Sequence, residues 1–206
     1  MFEILKLLNE NEDRCVLIGR NGLNYIYSRE NTEKMQFSTV DFDVLCPNVG
    51  AARECAGILK QRGFSNIAAT FRDGKNGEID ILIADPEYPE GILDGFYNLP
   101  ALTRLWETRT REDGILVPDK EVLIMNKLLF ARDNEGKDFE TIRVYFSLEP
   151  EKIDHIIGRI GNHSPAGERE TMLFSLYACF EGNEDIRLKI EEILISEILY
   201  RTDESV

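Results

Sequence analysis

Two short stretches set the pattern of this chain. In Val40-Asp41-Phe42-Asp43-Val44, acidic and apolar residues alternate. In an extended strand residues two apart share a face, so Asp41 and Asp43 stand side by side, about 7 Å apart, while Phe42 and Val44 point to a core. The run Gly77-Glu78-Ile79-Asp80-Ile81-Leu82-Ile83-Ala84 repeats the theme, with Glu78 and Asp80 on one face of a second strand. A carboxylate flanked by isoleucines is costly to desolvate unless something pairs with it.

The rest of the pattern predicts alternating elements, then helices alone. Residues 2–9 read as an amphipathic helix, 9–14 as a polar turn and 15–18 as a short apolar strand ending at Gly19. A helix starts within residues 20–27, and a polar loop covers 29–37. After the first acidic strand, Pro47 and Gly50 mark a turn, and residues 51–62 form a helix closed by Gly63. One strand over 67–71 and a hairpin turn over 73–77 lead into the Asp80 strand. Residues 85–95 read as a loop, and a second hairpin pairs 108–111 with 115–117 around Glu112-Asp113-Gly114. Five helices follow, over 119–132, 137–148, 150–160, 168–180 and 184–200, with a polar linker at 161–167 and a frayed tail from 201. The order predicts an α+β fold: a mixed β-sheet with packed helices over 1–118 and a C-terminal helical region over 119–206.

Composition narrows the classes. Of 206 residues 43% are hydrophobic, enough for a packed core. The formal net charge of −14 opposes broad nonspecific binding of nucleic acid, which depends on cations neutralising phosphates. The four cysteines, Cys15, Cys46, Cys55 and Cys179, match no zinc spacing and read as reduced core residues. Two histidines, His155 and His163, argue against histidine catalysis or a histidine zinc site. Neither a leader pattern nor an apolar run of spanning length is evident, so the expectation is a soluble cytoplasmic protein without membrane contact.

The acidic strands carry the candidate chemistry. Asp41 and Asp43 repel each other unless a cation sits between them, and Mg²⁺ is held by one or two carboxylates while it bridges substrate phosphates. If the two strands are neighbours, Asp41, Asp43 and Asp80 converge into a triad for two metal ions, the arrangement for in-line displacement at phosphorus. The plainer alternative is an edge strand with a wet face. The strand-Gly19-helix junction offers N–H groups to a phosphate, or is simply a turn.

Together these residues resemble the polymerase-beta-like nucleotidyltransferase superfamily. The shared features are an apolar strand, Gly19, a helix, Thr39-x-Asp41-x-Asp43, a helix ending in Gly63-Phe64, and Asp80 on a later strand. The small bacterial branch that includes abortive-infection toxins is the most similar. Its lysine-bearing helix and following turn are matched by Lys127 to Arg132 and by Gly136-Lys137-Asp138. The resemblance covers about residues 15–145. It implies a nucleotidyltransferase-like sheet, with Asp41, Asp43 and Asp80 as catalytic residues and ligands of two Mg²⁺ (or Mn²⁺) ions. It further implies nucleotide binding by Gly19, Arg20, Asn21, Thr39 and Lys127, with Lys127 reaching a phosphate; alternatively Lys127 is a surface residue, and Lys137 and Asp138 merely join two helices. Two departures stand out: Arg20 replaces the family's glycine or serine, and residues 32–37 lengthen the gap before Asp41.

The expected function is metal-dependent transfer of a nucleoside monophosphate from a nucleoside triphosphate to an acceptor hydroxyl, with release of pyrophosphate. The acidic balance favours a small molecule or protein as acceptor over a large RNA. A basic patch of Arg53, Lys60, Arg62, Arg72 and Lys75 would be the exception, suited to a tRNA end. A homodimer or an antitoxin-like protein partner is also expected. The alternatives are a catalytically degenerate nucleotide- or partner-binding protein of the same fold, and a structural α+β domain with solvated carboxylates.

Overall fold

The computed structural model describes residues 1–30, 41–74, 77–87, 99–131, 136–163 and 166–203. Of the expected loop at 29–37, Arg29 instead ends a helix and Glu30 caps it; the rest, with its insert, and most of the loop at 85–95 fall outside them.

The N-terminal elements follow the hydrophobic pattern. Helix α1 (Phe2–Leu8) buries Leu5 and Leu8. The turn after it is held by Asn9, whose side chain bonds the backbone of Arg14 and Cys15. Strand β1 (Val16–Leu17) leads into helix α2 (Gly19–Arg29). Strand β2 (Asp41–Cys46) alternates half-buried acids with buried apolar residues over its first half. Helix α3 (Val49–Gln61) starts at Asn48, whose side chain accepts the Ala51 N–H, while Asp85 accepts the Val49 N–H. These bonds satisfy donors that a helix start leaves unpaired. At its other end Gly63 takes a φ of +87°, the left-handed conformation that stops helices.

One expectation is overturned beyond α3. In place of a single strand over 67–71 there are two, β3 (Ser65–Ile67) and β4 (Thr70–Arg72), joined by a two-residue turn. Ala68 makes the reversal with a φ of +51°. An alanine gives no turn signal in sequence, because glycine or asparagine usually fills such a site. Strand β5 (Glu78–Ile83) completes the sheet.

Among the described residues these strands form one mixed sheet in the order β1-β2-β5-β4-β3. The central pair, β2 and β5, is parallel, and the other neighbours are antiparallel. A parallel pair needs a long crossover, which α3 and the β3–β4 hairpin supply. The apolar face carries Phe42, Val44, Phe71, Ile79 and Ile81 and is buried. Helix α3 packs there: Cys55 Sγ lies 3.9 Å from Cys46 Sγ, and both side chains are buried.

Helix α4 (Leu99–Glu107) was not foreseen. Pro100 obscures it, yet proline is tolerated in a first turn, and Ala101, Leu102 and Leu105 are buried. The second hairpin is β6 (Thr110–Glu112) and β7 (Ile115–Val117), with Asp113 and Gly114 both at positive φ. Helix α5 (Lys120–Leu129) opens with Asp119 accepting the Val122 N–H.

Two compact units divide the chain, Met1–Leu123 and Ile124–Val206. The second holds helices α6 (Lys137–Leu148), α7 (Lys152–His163), α8 (Ala166–Cys179) and α9 (Glu184–Asp203). Its core includes Phe139, Tyr145, Ile156, Leu173 and Ile190. Much of the expected linker at 161–167 is helical, as are residues 201–203 of the expected tail. Packing overrides the polar composition that suggested coil there. The architecture is thus α+β with a mixed sheet, and no helix of the described residues is long and apolar enough to cross a membrane.

Candidate functional site

Strand register arranges the polar face of the sheet in two rows. Asp43 of β2 stands opposite Asp80 of β5, which stands opposite Thr70 of β4, which stands opposite Ile67 of β3. One step along, the row is Asp41, Glu78, Arg72 and Ser65. Residues opposite one another project from the same face, with strands about 4.8 Å apart. Four carboxylates therefore share one face of two central strands, all only partly buried.

The start of α2 borders this face. The Ile18 N–H donates to the Asp43 carbonyl at 2.9 Å, drawing the chain alongside β2. Gly19 then takes a φ of +67°, and a Cβ at this position would collide with the Asp43 carboxylate. Both facts demand glycine. No side chain of Ile18 caps the helix start. Asn21, almost fully buried, donates from Nδ2 to the Asp41 carbonyl at 2.6 Å. That expected nucleotide contact thus ties the helix to the acidic strand. Arg20 is half-buried.

Strand β4 supplies partners to β5. Thr70 Oγ1 donates to Asp80 Oδ1 at 2.5 Å. Arg72 forks onto Glu78, Nε to Oε1 at 2.7 Å and Nη2 to Oε2 at 2.9 Å. The Glu78 hydrogen bond and charge, followed by the charges of Asp80 and Asp41, hold the Arg72 guanidinium above its usual pKa.

The donor set suits a hard cation: carboxylates, at adjacent positions of adjacent strands. Among the described residues, however, no three Asp, Glu, His or Cys side chains form a group able to hold a metal ion. Asp80 bonds toward β4, on the side of β5 remote from β2. The register brings Asp41, Asp43 and Asp80 onto one face, and Gly19 with Asn21 to its border.

The remaining sequence candidates fare differently. Thr39 lies outside the described residues. Lys127 belongs to the second unit, where its Nζ donates to Asp138 Oδ1 at 2.5 Å, with both side chains largely covered. The basic cluster divides between layers. Arg53, Lys60 and Arg62 accompany α3 on the apolar side, Arg72 is paired on the polar face, and Lys75 lies outside the described residues.

Thr70 was not read as a site residue from sequence, and Arg72 was read only as part of a basic patch, not as the partner of Glu78. Their spacing of two in a short strand was the available signal, hidden by the unforeseen hairpin. No family model matches this chain, nor does any curated protein or solved structure.

Proposed function

We propose that this chain is a metal-dependent nucleotidyltransferase, and the pairing of Asp43 with Asp80 across the parallel central strands is the observation that carries the reading. Asp41, Asp43 and Asp80 would hold Mg²⁺ or Mn²⁺. Bound metal supplies charge neutralisation on a triphosphate and on the pyrophosphate that leaves. Asp80 would accept the proton of an acceptor hydroxyl, whose oxygen bonds to the α-phosphorus as the bond to pyrophosphate breaks. Gly19, pressed against Asp43, lets backbone approach phosphate without a side chain between them. The uncapped start of α2 adds a favourable dipole for an anion.

Catalysis is tested by incubating the protein and its Asp43→Asn variant with each α-labelled triphosphate, Mg²⁺ or Mn²⁺, and a cell extract supplying acceptors. Label transfer and pyrophosphate release by the wild type alone support the proposal. Loss of roughly a hundredfold or more in Asp43→Asn is the expected size for a metal ligand. Equal transfer by both proteins would sink it.

A second reading is a nucleotide-binding protein without turnover. It is favoured by Arg20 at the helix start, where a large side chain stands beside the glycine turn. Saturable nucleotide binding with no pyrophosphate release in any extract would select it.

A further inference from the structure

The β3–β4 hairpin strands contribute no carboxylate to the acidic face, yet their register is tightly specified. Ile67 faces Thr70 across a two-residue turn, and Thr70 faces Asp80. The turn depends on Ala68 at a φ of +51°, steadied by Asn66 Nδ2 donating to the Ala68 carbonyl at 3.1 Å. The Ala69 carbonyl accepts the Ile81 N–H at 3.1 Å, which locks the turn to β5. A left-handed alanine is strained and persists only where its surroundings impose it. What this geometry secures is one hydroxyl, placed on one oxygen of one carboxylate.

We propose that Thr70 is a positioning residue for Asp80, a role that rests on the nucleotidyltransferase reading. An aspartate on a strand can choose among several staggered side-chain orientations. Threonine is β-branched and stiff, so its hydroxyl is a fixed donor. Its single O–H is committed to Oδ1 at 2.5 Å. Because β4 lies on the outer side of β5, Thr70 engages Oδ1 from that side and leaves Oδ2 uncommitted to this bond. One oxygen is anchored, and the other serves a cation or an acceptor hydroxyl. The neighbouring row follows the same rule, with Arg72 holding both oxygens of Glu78. Glu78 is thereby occupied, which leaves Asp80 as the β5 carboxylate for chemistry.

An ordinary cross-strand contact would make Thr70 a contributor to stability alone. The two roles separate in Thr70→Val, which keeps shape and branching and removes the hydroxyl, and in Thr70→Ser, which restores it. Hydrogen bonds to charged groups are worth enough to change a rate by about tenfold to a hundredfold. In Thr70→Val, kcat for pyrophosphate release is expected to fall by that factor, with KM for the triphosphate within about threefold. Mn²⁺ affinity, read by the electron paramagnetic resonance of free Mn²⁺, is expected to weaken several-fold. Thr70→Ser is expected to recover most of both. Circular dichroism and melting temperature check that each variant is folded. An active wild type with Thr70→Val unchanged in kcat and Mn²⁺ affinity overturns the role of Thr70 and leaves the transferase reading standing. A Thr70→Ser variant as impaired as Thr70→Val overturns it equally. A wild type that neither turns over triphosphate nor binds Mn²⁺ removes the transferase reading and the positioning role with it.

Discussion

The backbone of Gly19 lies against the carboxylate of Asp43 with no space for even a methyl group between them. Gly19→Ala must therefore displace the carboxylate and also hold a left-handed backbone at a φ of +67°. The backbone alone costs about 1–2 kcal/mol. A lowered melting temperature is expected, together with, on the proposed function, at least a tenfold loss of metal-dependent turnover. An alanine variant with unchanged stability would contradict the contact.

Asn9 is a polar keystone of the N-terminal turn, only 2% exposed. Its Oδ1 accepts the N–H groups of Arg14 and Cys15 at 2.9 and 3.0 Å, and its Nδ2 donates to the Cys15 carbonyl at 2.8 Å. Asn9→Ala strands these groups. Each unsatisfied buried group costs about 1–3 kcal/mol, and with three groups stranded a total loss of at least about 3 kcal/mol is expected. Urea unfolding should show a lower midpoint with little change in slope.

The ion pairs of Asp13 give stability a dependence on acid. Hydrogen bonding to Arg111 (2.5 Å), with the added charge of Arg109, holds the Asp13 carboxyl below its ordinary value of 3.8. A depressed folded value means that the contribution is full above 3.8 and disappears as pH falls through the folded value. Asp13 is 40% exposed, so solvent screening limits the effect to a few tenths of a kcal/mol. Melting temperatures of wild type and Asp13→Asn should differ well above the ordinary value of 3.8 and converge as the pH falls well below it.

Ala68 invites relief of strain. Ala68→Gly removes the left-handed penalty of about 1–2 kcal/mol and adds about 0.4–1 kcal/mol of unfolded-chain entropy, so a gain near 0.5 kcal/mol is expected. Chemical denaturation would reveal it. A loss of stability would show that the alanine methyl is needed for packing.

Three thiols meet behind the sheet. Hydrogen bonding to Cys55, reinforced by burial, pushes Cys15 and Cys46 well up, and Cys55, as their acceptor, is pushed down. Burial alone pushes Cys179 up to about 12. Access rather than charge governs alkylation here, since all four are buried. Native protein at pH 8, a condition set by the ordinary thiol range, should react slowly with iodoacetamide. Guanidinium, which unfolds the chain, should expose all four.

Local chemistry made much of the architecture legible. The alternation around Asp41 and Asp43 forced a two-faced strand. Gly63 stopped α3 because a left-handed stop favours glycine. Asp113-Gly114 announced a tight hairpin, and repeated apolar spacing announced the C-terminal helices. Each of these signals acts over a few residues, and a few residues suffice to read it. The β3–β4 hairpin and α4 escaped because alanine at a turn and proline in a first turn both run against ordinary preference, and only surrounding contacts permit them.

The pairing of β2 with β5 belongs to the tertiary structure alone. Sequence alternation said which face each aspartate occupies, but a parallel partner 37 residues away could slide by two and keep every apolar residue inward. The crossover and hairpin packed against it decide that Asp43 meets Asp80, and that Thr70 meets Asp80 in turn. Side-chain periodicity is a property of the backbone near each residue, whereas register is chosen by the lowest free energy of the whole sheet and the layers that cover it.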